Sequence, residues 1–230
     1  MKTLALIILL AMSLSGCGGG NTETESPAKT QYVAAMSAPP SAPLVIVTIG
    51  DSETAGAVSN PTGFTNIPEA SYPARLQGLL GSKAVVTNLG INSTNLLEVY
   101  TDQFQLARTY NPDILIVSTT LNDSGDMMDK DLLYLIWSLF KRDLPNTRII
   151  LLTPLKAHVS ISPTVLQDYT INLYRATNLN IGTGVTHSME VFDVGAHDTP
   201  DWYCGNTDFH PCEYGYREMA RYVHNYLNIN

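Results

Sequence analysis

The chain has 230 residues, of which 44% are hydrophobic and 15% charged. That is enough apolar material for one packed domain, and it excludes a disordered or fibrous chain. Lys and Arg total 13 against 21 Asp and Glu, a formal net charge of -8 with no basic cluster, so nucleic acid is not an expected partner. The 3 cysteines cannot all pair within one chain, and at least one needs another explanation.

Residues 1–16 read as an export signal. Lys2 precedes the apolar run LALIILLAMSL, which is too short to cross a bilayer comfortably. The run ends in Leu14-Ser15-Gly16-Cys17, which resembles the processing box of bacterial lipoproteins. The resemblance implies cleavage before Cys17 and acylation of that residue, hence an anchor at a membrane surface of the cell envelope. Gly18 follows the cysteine where an aspartate would signal retention; in a gram-negative host that implies the outer membrane. Residues 17–43 are dominated by Gly, Ser, Thr, Pro and Ala and are expected to form a flexible linker. Residues 44–230 are then the folded domain, expected to be a monomer.

Within it, short β-rich runs alternate with helical patterns. Leu44 to Ile49 reads as a buried strand ending at Gly50, and YPARLQGLLG as a helix with Pro73 in its first turn and Gly81 past its end. KAVVTNLG is a second strand. STNLLEVYTDQFQLARTY is a helix capped by Ser93 or Thr94, and DILIVSTT a third strand. MMDKDLLYLIWSLFKRDL is the clearest helix, with Leu132, Leu133, Leu135, Ile136, Leu139 and Phe140 on its apolar face. TRIILLTP is a fourth strand, residues 163–179 contain a helix, MEVFDVG is a fifth strand, and a last helix runs from Glu213 to about Leu227. Regular βα alternation predicts an α/β fold: a parallel five-stranded sheet with helices on both faces, its site beyond the carboxyl ends of the strands.

Those ends carry unusual residues. Gly50-Asp51-Ser52 follows the first strand, Asn88-Leu89-Gly90 the second, and Thr120-Leu121-Asn122-Asp123 the third; Asp208-Phe209-His210-Pro211 precedes the last helix. Four such blocks in order resemble the SGNH or GDSL serine hydrolases. The resemblance implies a three-layer, flavodoxin-like α/β/α sandwich with sheet order 2-1-3-4-5, and ester hydrolysis through an acyl-serine. Ser52 is then the nucleophile and His210 its base, since a hydroxyl attacks a carbonyl well only when its proton is removed. The oxyanion so formed needs fixed donors: the backbone N–H groups of Ser52 and Gly90 and the side-chain amide of Asn122. No cofactor and no metal is expected.

The blocks depart from the family pattern in two places. Thr120 stands where the third block usually opens with glycine, which is read as tuning of the substrate. Thr207 stands where the family has its acid, three residues before the histidine, and Asp208 is only two residues before it. A carboxylate there would fix the imidazole tautomer. Asp208 in a rebuilt loop, Asp201 or Asp198 folding back, and a backbone carbonyl or water are the open choices. Cys204 and Cys212 bracket this loop. In an exported chain they are expected to pair around His210; free thiols, or a zinc site with His210, are the alternatives.

Other polar residues rank lower. His158, His187, His197 and His224 read as structural or solvated, and Asp51 and Asp123 as loop braces. Asp126, Asp129 and Asp131 read as a charge cluster at a helix start, and Tyr214 and Tyr216 as either an approach surface or packing. The expected activity is a serine esterase for small or medium acyl groups, acting on simple esters, lysophospholipid or O-acetylated glycan. The rival from another class is an envelope binding or scaffolding protein that keeps the fold but not efficient catalysis.

Overall fold

The computed structural model describes residues 42–118, 122, 130–155, 189–204 and 210–229. The chain divides into two units, Met1–Pro39 and Pro40–Asn230. The first lies outside the described residues, together with the export signal and Cys17. The expected helix over 163–179 is outside them too. Among the described residues no helix is long and apolar enough to cross a membrane.

The second unit is built on a five-stranded parallel sheet. Its strands are β1 (Leu44–Gly50), β4 (Ala84–Asn88), β5 (Ile114–Ser118), β6 (Arg148–Leu152) and β7 (Met189–Phe192), ordered β4-β1-β5-β6-β7. Counting only these strands, that is the order 2-1-3-4-5. Two further strands, β2 (Ala57–Asn60) and β3 (Gly63–Asn66), pair as a separate antiparallel hairpin.

Side-chain alternation along the strands divides the core into two layers. Ile46, Ile114 and Ile116 point to one face, where they pack with Tyr72, Leu76, Tyr216, Met219 and Val223. Val47, Ile49, Leu115 and Val117 point to the other, against Leu96, Val99, Phe104, Ile136 and Phe140. The first face is covered by α2 (Tyr72–Leu80) and α5 (Glu213–Leu227), the second by α3 (residues 96–109) and α4 (Lys130–Asp143). This is the expected three-layer α/β sandwich. The buried strands read as continuous apolar runs because both sides of the sheet are covered.

Local signals account for most helix ends. Ser71 caps α2 by accepting from the Ala74 N–H, with proline in the first turn and Gly81 at φ 58 past the end. The start of α3 falls later than its sequence suggests. Asn95, not Ser93 or Thr94, is the cap, in a reciprocal capping box with Glu98; Ser93 is left-handed at φ 63. Inside α3, Val99–Phe104 widens to a π-helix, a form that residue periodicity does not announce. Leu135, grouped by sequence with the apolar face of α4, is exposed, while Ile136 and Phe140 are buried. One residue turns a helix by about 100°, enough to carry Leu135 off the face.

The hairpin is tied to the last helix. The fully buried Tyr216 hydroxyl donates to the Ala57 carbonyl at 2.8 Å, and the Ser59 N–H donates to the Pro211 carbonyl at 3.0 Å. Burial, reinforced by the charges of Glu53 and Asp51, raises the Tyr216 pKa well above its usual value, so the hydroxyl stays a donor. Tyr216 is therefore packing, whereas Tyr214 is exposed beneath the Arg217 guanidinium. Tyr216→Phe leaves the Ala57 carbonyl without its buried donor. A loss of about 1–3 kcal/mol is expected, measured as a lower urea midpoint at unchanged m-value.

Candidate active site

The site begins at the end of β1. Gly50 adopts φ 152, and a Cβ there would stand 1.8 Å from the Ser118 carbonyl oxygen of β5, so only glycine fits. The Asp51 N–H donates to that same carbonyl at 3.2 Å. Asp51 then caps the short helix α1 (Ser52–Ala55), its carboxylate accepting from the Glu53 N–H at 3.1 Å. This is the loop-bracing role its sequence position suggests. Ser52 is the first residue of α1, so its N–H has no partner within the helix.

The Ser52 hydroxyl meets the His210 imidazole: Oγ and Nε2 are 3.0 Å apart. The serine is 7% exposed and the histidine 3%. They lie 158 positions apart in the chain, so the fold alone joins them. A hydrogen bond of this length is short enough for an imidazole to accept a hydroxyl proton.

Gly90 lies directly against α1. A Cβ on it would come within 2.6 Å of the Ala55 nitrogen and 2.7 Å of Thr54. Asn88 clamps the two blocks: its Nδ2 donates to the Thr54 carbonyl at 2.7 Å, and its Oδ1 accepts from the Gly90 N–H at 2.9 Å. The N–H expected to face an oxyanion is thus already engaged. Asn122 is exposed, and its Nδ2 donates to the Thr94 carbonyl at 3.1 Å. That amide nitrogen carries a second hydrogen for another acceptor.

Sequence reasoning passed over Gln103. It is 2% exposed and sits within the π-helical turn. Its Oε1 accepts from the Gly50 N–H at 2.7 Å, and its Nε2 donates to Thr94 Oγ1 at 3.1 Å. Thr94 Oγ1 in turn donates to the Ile91 carbonyl at 2.9 Å, and the Thr94 carbonyl receives Asn122. One buried amide therefore links the serine turn to the Gly90 and Asn122 segments. The only sequence signal was a glutamine at a position where the helix should have buried an apolar side chain.

Around His210 the chain is held on several sides. Cys204 and Cys212 are joined by a disulfide, which removes the free-thiol and zinc alternatives. Its loop-closure contribution is about 2.5 kcal/mol. The Cys212 N–H donates to the Trp202 carbonyl at 2.7 Å. The Phe64 ring of β3 lies 4.5 Å from the His210 ring, centroid to centroid. Asp208 lies outside the described residues, as do Thr207, Thr120, Asp123, Asp126, Asp129, His158 and His187. Of the alternative acids, Asp198 accepts from the Tyr203 hydroxyl at 2.9 Å, and Asp201 is exposed. His197 stacks on Tyr222. Among the described residues no group of His, Cys, Asp or Glu is arranged to hold a metal ion.

The fold has well-matched counterparts among solved structures. A family 3 carbohydrate esterase of Clostridium thermocellum superposes with a TM-score of 0.60 at 15% identity, covering 79% of this chain and 94% of that one. A lipase/acylhydrolase from Enterococcus faecalis gives 0.63 at 14% identity, covering 80% and 95%. A mutant acetyl-xylooligosaccharide esterase from Geobacillus gives 0.60 at 16% identity, covering 82% and 96%. At such identities the likeness is one of fold. No curated protein matches the chain. The family model for GDSL-like lipase/acylhydrolases matches residues 48–218. That match takes in Ser52, Gly90, Asn122 and His210 and spans well over half of the sequence, and the chain belongs to the GDSL-like lipase/acylhydrolase family.

Proposed function

We propose that the chain is a serine esterase that hydrolyses carboxylic esters of small or medium acyl groups through an acyl-serine. The observation that carries this reading is the buried 3.0 Å contact between Ser52 Oγ and His210 Nε2 at the carboxyl end of the parallel sheet. Ser52 attacks the ester carbonyl as His210 takes its proton. The oxyanion is held by the Ser52 and Gly90 N–H groups and Asn122 Nδ2. Collapse breaks the bond to the alcohol, and His210 returns the proton to that leaving oxygen. Water then attacks the acyl-serine, giving its proton to His210, and Ser52 leaves with a proton as the acid is released. The disulfide and Pro211 keep the ring over the serine, and Asp208 is assigned to orient its tautomer.

A tagged fluorophosphonate is expected to label the purified, disulfide-intact chain, and Ser52→Ala to abolish both labelling and hydrolysis of p-nitrophenyl acetate. Absence of labelling in folded protein would falsify the reading. For the acid, Asp208→Asn is expected to lower kcat by at least about tenfold. An unchanged kcat would move that role to Asp198, Asp201 or the backbone.

Gln103 is assigned as a positioning residue. Gln103→Met keeps most of the side-chain volume and removes both hydrogen bonds, leaving the Gly50 N–H buried and unpaired. Stability should fall by about 1–3 kcal/mol. The informative quantity is kcat per fluorophosphonate-labelled site, expected to drop about tenfold with little change in KM, because the oxyanion donors act in the transition state. A purely structural role would lower the labelled fraction and leave the rate per labelled site intact.

A further inference from the structure

A single apolar side chain exposed on a protein surface needs no explanation. Phe64 differs in where it is and in how it is held. Its ring is 49% exposed, yet its centroid lies 4.5 Å from that of the buried His210 ring, at an interplanar angle of 48°. It sits opposite Ser59 in the hairpin register, and the Ser59 N–H donates to the carbonyl of Pro211, the residue next to His210. The turn is pinned as well: Asn60 Oδ1 accepts from the Thr62 N–H at 2.9 Å, and Asn60 Nδ2 donates to Thr65 Oγ1 at 2.9 Å. Phe64 is therefore a fixed aromatic face beside the base.

The reaction assigns that place to one part of the substrate. His210 returns its proton to the leaving alcohol, so the alcohol oxygen must come within about 3 Å of Nε2. The carbon skeleton that bears that oxygen must lie next to the imidazole, whose neighbour on the hairpin is the Phe64 ring. The acyl group, attached to the carbonyl carbon instead, has no need to pass this ring.

The hairpin's charge selects among alcohols. Residues 57–74 contain no Lys or Arg, and Arg75, the next cation in the chain, is paired with Glu213 at 3.2 Å. A phosphate headgroup would find no cation on this hairpin. On the same face of β3 as the aromatic ring stands the exposed neutral amide of Asn66, with the neutral Thr62 exposed in the turn. A flat apolar face rimmed by neutral polar groups matches a pyranose, which has C–H bonds on its faces and hydroxyls around its edge. Building on the serine-esterase reading, we infer that Phe64 and its hairpin form the alcohol-side subsite, and that the ester's alcohol is a neutral sugar ring rather than a phospholipid headgroup.

The test compares three acetyl esters on the full chain: an acetylated xylo-oligosaccharide, ethyl acetate and acetyl-glycerophosphocholine. All three form the same acetyl-serine, so selection among alcohols is read in kcat/KM, while hydrolysis of the acyl-enzyme is common to them. Wild-type protein is expected to favour the sugar ester. Phe64→Ala should cut the sugar-to-ethyl ratio of kcat/KM about tenfold, and Phe64→Trp should restore most of it. Fluorophosphonate labelling of each variant reports that the Ser52–His210 pair is intact. Equal losses on sugar and ethyl esters would mean that Phe64 merely props His210, and an unchanged ratio would mean that it touches no substrate; either overturns the subsite. A wild-type preference for the glycerophosphocholine ester, lost in Phe64→Ala, overturns the choice of sugar. Failure of the esterase reading looks different: wild-type protein that cleaves none of the three and takes up no fluorophosphonate removes that reading, and this subsite with it.

Discussion

At the carboxyl end of β1 the backbone of Gly50 lies so close to β5 that a Cβ would sit 1.8 Å from the Ser118 oxygen. Much of the site follows from this approach. Because β1 and β5 stay in register up to Gly50 and Ser118, the chain must turn abruptly to continue, and Asp51 makes the turn by bonding Ser118 and capping α1. Ser52 is thereby fixed at the first position of a helix whose four residues are all buried. Gly90 can press against Thr54 and Ala55 only because it too lacks a side chain. Two glycines thus set the spacing of adjacent blocks by sterics, and the polar clamp of Asn88 then locks what the sterics permit.

The histidine is positioned by different means. No described strand carries it: among the described residues, its neighbours in the chain are held by β2, the disulfide and the start of α5, and its ring lies against Phe64 of β3. The Pro211 carbonyl is bonded to Ser59, Cys212 to Trp202 through its N–H and to Cys204 through sulfur, and Tyr216 to Ala57. These constraints are distributed, so none has to be strong. The serine side of the site is rigid because its backbone is packed. On the histidine side, Cys212 is cross-linked to Cys204 and the Pro211 carbonyl is bonded to the hairpin. Through these bonds the hairpin, which contributes no strand to the main sheet, holds the residues that follow His210.

The strands are legible because each is an apolar run, whereas their order follows only from the family resemblance of the four blocks, which also singles out Ser52 and His210, the pair that the fold brings to 3.0 Å. Leu135 and the start of α3 were misread for a related reason. Apolar composition marks a helix but not its phase, and Ser93, Thr94 and Asn95 are all competent caps until the backbone selects one. The hairpin was not anticipated because AVSN and GFTN are too short for alternation to register. Gln103 and Phe64 were invisible for a deeper reason. Their significance is a relation to distant residues, Gly50 and Thr94 in one case and His210 in the other. Cys17 and Asp208 rest on the sequence reading alone, since both fall outside the described residues.

The resting hydrogen bonds also bear on how the proposed reaction gains selectivity for its transition state. The Gly90 N–H donates to a neutral amide oxygen of Asn88 at 2.9 Å, and one Asn122 N–H to the neutral Thr94 carbonyl. A neutral ester carbonyl arriving in the site is no better an acceptor than these, so it draws little from either donor. As attack by Ser52 places negative charge on that oxygen, it becomes the stronger acceptor, since hydrogen bonds to charged groups are roughly twice as strong as neutral ones. The Gly90 N–H can then share its proton between two acceptors, and Asn122 has its second hydrogen to offer. On the proposed mechanism, donors already satisfied in the resting site would shift their weight as charge develops, which would favour the transition state over the bound ester. Gln103, through Gly50 and Thr94, is the buried group that both arms of this arrangement share.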